Sequence, residues 1–185
     1  MKTRMPGRFL MAAALLVGAA AASTKAGANL PQSDSDIANN VHREIVMYPY
    51  YSIWDDLSFR VVDGNVALRG VVSQPFKKRD LERLVQKVPG VAGVTNDIKT
   101  LPLSSMDDRL RLQVAGAIYR DPVLSGYAML ALPPIHIIVE NGHVTLTGMV
   151  NSAMEKQIAG MRAASSLSFG PVTNNLVVEH PAKKS

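Results

Sequence analysis

Val61-Val62-Asp63-Gly64-Asn65-Val66-Ala67-Leu68-Arg69-Gly70-Val71-Val72 is answered, 78 positions on, by Val139-Glu140-Asn141-Gly142-His143-Val144-Thr145-Leu146-Thr147-Gly148-Met149-Val150. Gly64, Val66, Leu68, Gly70 and Val72 recur as Gly142, Val144, Leu146, Gly148 and Val150. At the same offset Val94-Thr95-Asn96 returns as Val172-Thr173-Asn174. Glycines, alternating apolar residues and a distant tripeptide kept in one register mark an internal repeat, and a repeat decides architecture before any local signal does. In each copy the apolar alternation runs through Asp63-Gly64 or Asn141-Gly142. These dipeptides tolerate the positive φ angles of a two-residue type I′ turn, so each copy contains a β-hairpin. The second glycine of each pair, Gly70 or Gly148, sits within a strand, where it permits a bend or the close approach of a helix.

Working outward, a helix precedes each hairpin. Ile37, Val41 and Ile45 are spaced i, i+4, i+8, and Leu110, Val114, Ala117 and Ile118 form the matching stripe. Ser33 or Ser35 beside Asp36, and Ser105 three residues before Asp108, supply N-cap chemistry. A second helix follows each hairpin. In the first copy its apolar face is Leu81, Leu84, Val85 and Val88, ended by Pro89-Gly90. In the second copy it is the weaker set Met154, Ile158 and Met161, which aligns better if the register slips by one. A last strand closes each copy, over Val94–Leu101 and Val172–Val178. The order helix, strand, strand, helix, strand, twice, predicts an α+β chain with domains at 33–102 and 105–180. The link Leu101–Ser105 is short, so the two domains are expected to sit close together. Between first helix and hairpin the copies differ. The second carries five more residues, in a Leu124–Pro134 loop holding Tyr127, Met129, Leu130 and Leu132; the first has Tyr48-Pro49-Tyr50-Tyr51 and Trp54. Two readings stand for these loops: packing over the open end of the sheet, or an apolar contact surface.

Of 185 residues, 47% are hydrophobic and 19% charged, enough to bury a core. The absence of cysteine excludes a disulfide framework, a thiolate metal site, a cysteine nucleophile and a lipidated N-terminal cysteine. The net charge of +5 owes four cations to residues 1–28, where Lys2, Arg4, Arg8 and Lys25 stand without an acid. That segment reads as a secretory signal: a basic start, the apolar run Phe9–Ala22, then Ala20-Ala21-Ala22 or Ala26-Gly27-Ala28 as cleavage sites. An uncleaved anchor is the other reading, although the run is short against the roughly 20 residues that cross a bilayer. Residues 181–185 form a short basic tail. An exported protein, periplasmic in a Gram-negative source and without a transmembrane helix after signal removal, is expected.

No catalytic constellation emerges. His42, His136, His143 and His180 show no metal-ligand spacing, and Asp55-Asp56 and Asp107-Asp108 are adjacent pairs whose side chains diverge. No phosphate loop, dinucleotide fingerprint or nucleophile elbow is present, so no cofactor or metal is expected. One polar surface does stand out: Lys77, Lys78, Arg79, Arg83 and Lys87 on the second helix of the first copy. Arg79, Arg83 and Lys87 share an arc of about 80°, roughly opposite the apolar stripe. Residues 29–102, the patch included, hold nine basic against nine acidic residues, so the patch is local. It reads either as a solvated helix face or as a docking site for anionic phospholipid headgroups. Nucleic acid is excluded as a partner by export and by the lack of an aromatic-interleaved basic stripe.

The Gly-x-Val-x-Leu-x-Gly hairpin, followed by a helix and the Val-Thr-Asn strand, resembles the BON family (bacterial OsmY and nodulation domains). Two copies behind a signal peptide cover about Ser35 to Glu179, as in osmotically inducible periplasmic proteins with twin BON domains. The resemblance implies two tandem αββαβ sandwiches, each with two helices on a three-stranded mixed sheet. It also implies a non-enzymatic role at the cell envelope, described as phospholipid binding, with chaperone-like help to unfolded outer-membrane proteins in some members.

Overall fold

The computed structural model describes residues 32–166 and 170–179. The leader read over residues 1–28 and the tail at 181–185 lie outside the described residues. The first repeat contains α1 (Asp34–Val46), β1 (Asp56–Val62), β2 (Asn65–Val72), α2 (Pro75–Gln86) and β3 (Gly93–Thr100). The second contains α3 (Ser105–Tyr119), β4 (Ile135–Glu140), β5 (His143–Val150), α4 (Ala153–Ser166), β6 (Val172–Asn174) and β7 (Val177–Val178). β1 and β2 pair antiparallel and β2 and β3 parallel, giving a mixed sheet in the order β1-β2-β3. β4, β5 and β6 repeat that order. The fold is α+β, two αββαβ units in tandem. The closing strand of the second unit, read as one run, is broken: Asn175 N–H turns to Leu146 O (2.8 Å), Leu176 is buried, and β7 resumes pairing with β5.

Both hairpins turn as their dipeptides dictate. Asp63 and Gly64 have φ of 48° and 74°, and Asn141 and Gly142 have 52° and 78°, positive at both central positions as a type I′ turn requires. A first-turn aspartate of the preceding helix clamps each turn. Asp34 accepts from Asp63 N (2.8 Å) and Gly64 N (2.9 Å); Asp107 accepts from Asn141 N (3.0 Å) and Gly142 N (2.8 Å). The helix starts are more specific than expected. Ser33 is the N-cap of α1 in a capping box with Asp36, and in the second copy the cap is Ser104, not Ser105, accepting from Asp107 N at 3.2 Å. Gly70 and Gly148 serve a strand rather than a helix. With φ of 120° and 103°, a Cβ there would lie 2.0 Å from Asp56 O and 1.9 Å from Pro134 O, so only glycine lets the neighbouring strand start so close.

Each repeat closes its own core. Ile37, Val41 and Ile45 of α1 and Leu81, Val85 and Val88 in and just after α2 cover Val66, Leu68, Val72 and Ile98. Val114 and Ile118 of α3 and Ala159 and Ala163 of α4 cover Ile135, Ile137, Val139, Val144, Leu146 and Val150. This corrects the reading of α4. Ala159 and Ala163 stand where Leu81 and Val85 stand, so the register does not slip, while Met154 and Met161 face solvent. Small residues on the buried side had hidden the stripe.

The repeats meet through the segment before β1. Ile137 N–H donates to Ile53 O (2.7 Å), and His136 Nδ1–H donates to Asp55 O, so Ile53–Asp55 runs along the outer edge of β4. Ile53 and Trp54 pack against the second core, and the Tyr51 ring lies 5.6 Å from that of His136. Burial, with Asp56 and Asp55 nearby, pushes the Tyr51 phenol up to about 12, so it stays neutral in this junction. No described helix is long and apolar enough to cross a membrane.

Candidate functional site

α2 begins with Gln74 as N-cap and Pro75 in the first turn, where the missing N–H costs nothing. Its register splits the five expected basic residues. Arg79, Arg83 and Lys87 are exposed, and Lys78 is half-buried with its carbonyl accepting from Asn96 Nδ2 at 2.9 Å. Lys77 does not belong to the surface. It lies four positions before Leu81 and so extends the buried stripe by one turn; it is 5% exposed. Its Nζ donates to Asp55 Oδ2 (2.7 Å) and to Ser73 Oγ (2.9 Å). Asp55 is fully buried and also accepts from the N–H and hydroxyl of both Ser52 and Ser73. The pair is structural and withdraws Lys77 from any surface role.

Of these cations Arg83 and Lys87 face a groove of about 660 Å³ between α1 and α2, and Arg79 stands one helical turn before Arg83, outside its lining. Arg83, Leu84 and Lys87 line one wall; Asn40, Arg43 and Glu44 line the other. Sequence reasoning missed Arg43, because its basic last turn on α1 becomes part of the patch only when the two helices pack. Asp80 also lines the groove but is engaged by Tyr48 Oη, which donates to it at 3.1 Å. Burial and that carboxylate raise the Tyr48 phenol above its ordinary value, so it remains a donor. Among the described residues, none of Arg43, Arg79, Arg83 and Lys87 forms an ion pair within 4.0 Å. At the N-terminal end of α2 the exposed rings of Tyr50 and Phe76 pack edge to face, 5.4 Å apart. Phe76 lies within about 20° of Arg83 and Lys87 around the helix.

The second repeat does not share this chemistry. At the positions of Phe76, Arg79, Asp80, Arg83 and Lys87 it has Met154, Gln157, Ile158, Met161 and Ser165. Its groove, about 450 Å³, is lined by Pro122, Val123, Ile158 and Met161 beside an Arg162–Asp121 ion pair of 2.6 Å. Hydrogen bonds to backbone N–H, chiefly that of Val123, together with Arg162 hold the Asp121 carboxyl below its ordinary value. The Leu124–Pro134 loop is packed at its start and exposed in its middle. Leu124 anchors it in the core and Tyr127 Oη donates to Glu155 (2.9 Å), while Met129 and Leu130 are 87% and 51% exposed. His143 sits on β5, its Nε2 2.9 Å from Thr173 Oγ1, and no group of three potential ligands able to hold a metal occurs among the described residues.

The family model for the BON domain matches residues 33–102 and 107–180. No curated protein matches the chain. Among solved structures, it is similar to the C-terminal domain of CdsD, the structural protein of the Type III secretion system of Chlamydia trachomatis. The identity is 15% and the TM-score 0.32, over 80% of this chain and 100% of that one. A second CdsD structure from the same organism matches at 15% identity and a TM-score of 0.27, over 80% of this chain and 94% of that one.

Proposed function

The chain belongs to the BON domain family, and from that premise we propose that it is a non-enzymatic, exported envelope protein whose first repeat docks on anionic phospholipid headgroups. The family's association with the envelope and with osmotic stress supports the compartment. The observation that carries the reading is the basic face at the α1–α2 groove: Arg43, Arg83 and Lys87 line it, Arg79 continues the stripe one turn before Arg83, and all four are exposed and without an ion-pair partner among the described residues. Lys78 flanks it. A basic residue close to an anionic membrane contributes about 1 kcal/mol, so the α2 stripe supplies on the order of 3 kcal/mol, suited to reversible contact. Such attraction decays over about 8 Å at physiological ionic strength, so it must weaken as salt rises.

The test is co-sedimentation of the purified protein with phosphatidylglycerol vesicles, comparing it with an Arg79→Glu, Arg83→Glu, Lys87→Glu variant. The parent is expected to sediment at low salt and be released at high salt; the variant, folded by circular dichroism, stays in solution. Sedimentation unchanged in the folded variant would clear α2 of this role. A chaperone-like function toward unfolded outer-membrane proteins is the second reading, favoured by the exposed Met129 and Leu130. It predicts suppression of aggregation that does not depend on salt.

A further inference from the structure

Between the two repeats lies a pocket of about 250 Å³, away from the basic groove, lined by Trp54, Ser73 and Gln74 of the first repeat and Asp108, Arg111 and Leu112 of α3. Arg111 has no counterpart in the first repeat. The stripes Ile37-Val41 and Leu110-Val114 align it with Ala38, so a long cation has been placed where the other copy has a methyl group. It is 6% exposed, and only part of its guanidinium is satisfied. Nη2 donates to Val139 O at 2.8 Å, Nη1 pairs with Asp108, and Nε is buried without a partner. The bond to Val139 O ties α3 to β4, while the other side of the guanidinium is answered by the mostly exposed Asp108. Gln74, the exposed N-cap residue of α2, makes no side-chain cap hydrogen bond. The walls on either side are apolar, a half-buried Trp54 and an exposed Leu112.

We propose that this pocket binds a small amphiphilic carboxylate, its anionic head replacing Asp108 on the Arg111 guanidinium and its apolar body lying between Trp54 and Leu112. Asp108 is the fitting surrogate. Its side chain is 64% exposed, so it can swing into water at little cost and leave the Arg111 Nη1 to the ligand. Gln74 then donates its amide N–H to the second carboxylate oxygen. The volume lies below the roughly 300–1,000 Å³ of drug-sized sites, which limits the ligand to a single ring or short chain with its carboxylate. Both a free organic acid and the C-terminal residue of a polypeptide present that group.

Trp54, the one tryptophan of the chain, reports on the pocket directly. Its fluorescence is titrated with phenylacetate and with a tripeptide ending in phenylalanine, each against its amide. Both acids are expected to shift the emission and neither amide to do so; whichever acid binds more tightly assigns the source to free acids or to chain ends. Equal responses to acid and amide would overturn the proposal. Two substitutions of exposed residues extend the test without threatening the fold. Asp108→Asn removes the internal competitor and should tighten acid binding about two- to fivefold. Leu112→Glu should abolish it. A folded Asp108→Asn variant that binds no tighter, or a folded Leu112→Glu variant that binds as well as the parent, would equally sink it.

Discussion

Lys77 and Arg79 are about 200° apart around α2, so one ammonium is folded beneath the helix against Asp55 while the other cation stands in solvent. The two positions should therefore respond very differently to truncation. Lys77→Ala leaves the Asp55 carboxylate buried without its cation, and loss of one partner of a buried pair costs about 3–5 kcal/mol. Arg79→Ala removes a solvated side chain and should stay within about 0.5 kcal/mol of the parent. Urea denaturation of the two variants measures the difference; equal midpoints would mean that Lys77 is not buried as described. The equivalent place in the second repeat is held with the charge reversed. Glu155, in register with Lys77, accepts from Tyr127 Oη (2.9 Å), Asn151 N (2.8 Å) and Ser152 N (3.0 Å). The same corner of the fold is fastened by a cation in one copy and an anion in the other.

Among the elements, the hairpins hold the strongest backbone constraints, and the two glycines of each do different work. At Gly142 a Cβ meets nothing within 4 Å, so the only penalty for a side chain is the positive φ. Gly142→Val is expected to destabilise by about 1–3 kcal/mol, since a β-branched residue resists that region. At Gly148 the positive φ is joined by a collision with Pro134 O, and the β4–β5 pairing must shift to relieve it. Gly148→Ala should therefore cost more than Gly142→Val despite the smaller side chain. Thermal melts of the two variants, side by side, decide it. The reverse order would mean that the strand start can retreat from β5.

At the scale of the whole molecule, two cores are coupled through a segment that belongs to neither hairpin. Ile53 lies in the first repeat, but its carbonyl caps the edge of β4 and its side chain packs on the second core. Ile53→Ala should reduce the stability of the second repeat by about 1 kcal/mol, less than the 2–5 kcal/mol of a fully buried site. Amide exchange at Val144 and Leu146 on β5 measures this, because those protons report the second core. Protection there that does not change would show that the repeats are energetically independent.

The two-fold repeat, the type I′ turns, the αββαβ order and the exposed arc of Arg79, Arg83 and Lys87 were legible before any fold was known, because each is set by residue spacing along the chain. The sequence also carried the burial of Lys77, legible as the residue one turn before Leu81, but a lysine on an apolar stripe reads as surface until its counterion is known. That counterion is Asp55, 22 positions away, and only the fold brings it near. Three further features needed tertiary structure for the same reason. Ala159 and Ala163 carry too little hydrophobicity to mark a buried face, and they do so only because α4 lies on the sheet. Arg43 joins the basic patch when α1 packs beside α2. Arg111 becomes half of a pocket when Trp54 and Gln74 of the other repeat arrive beside it. Local periodicity fixes which way a side chain points, whereas long-range packing decides what it meets there.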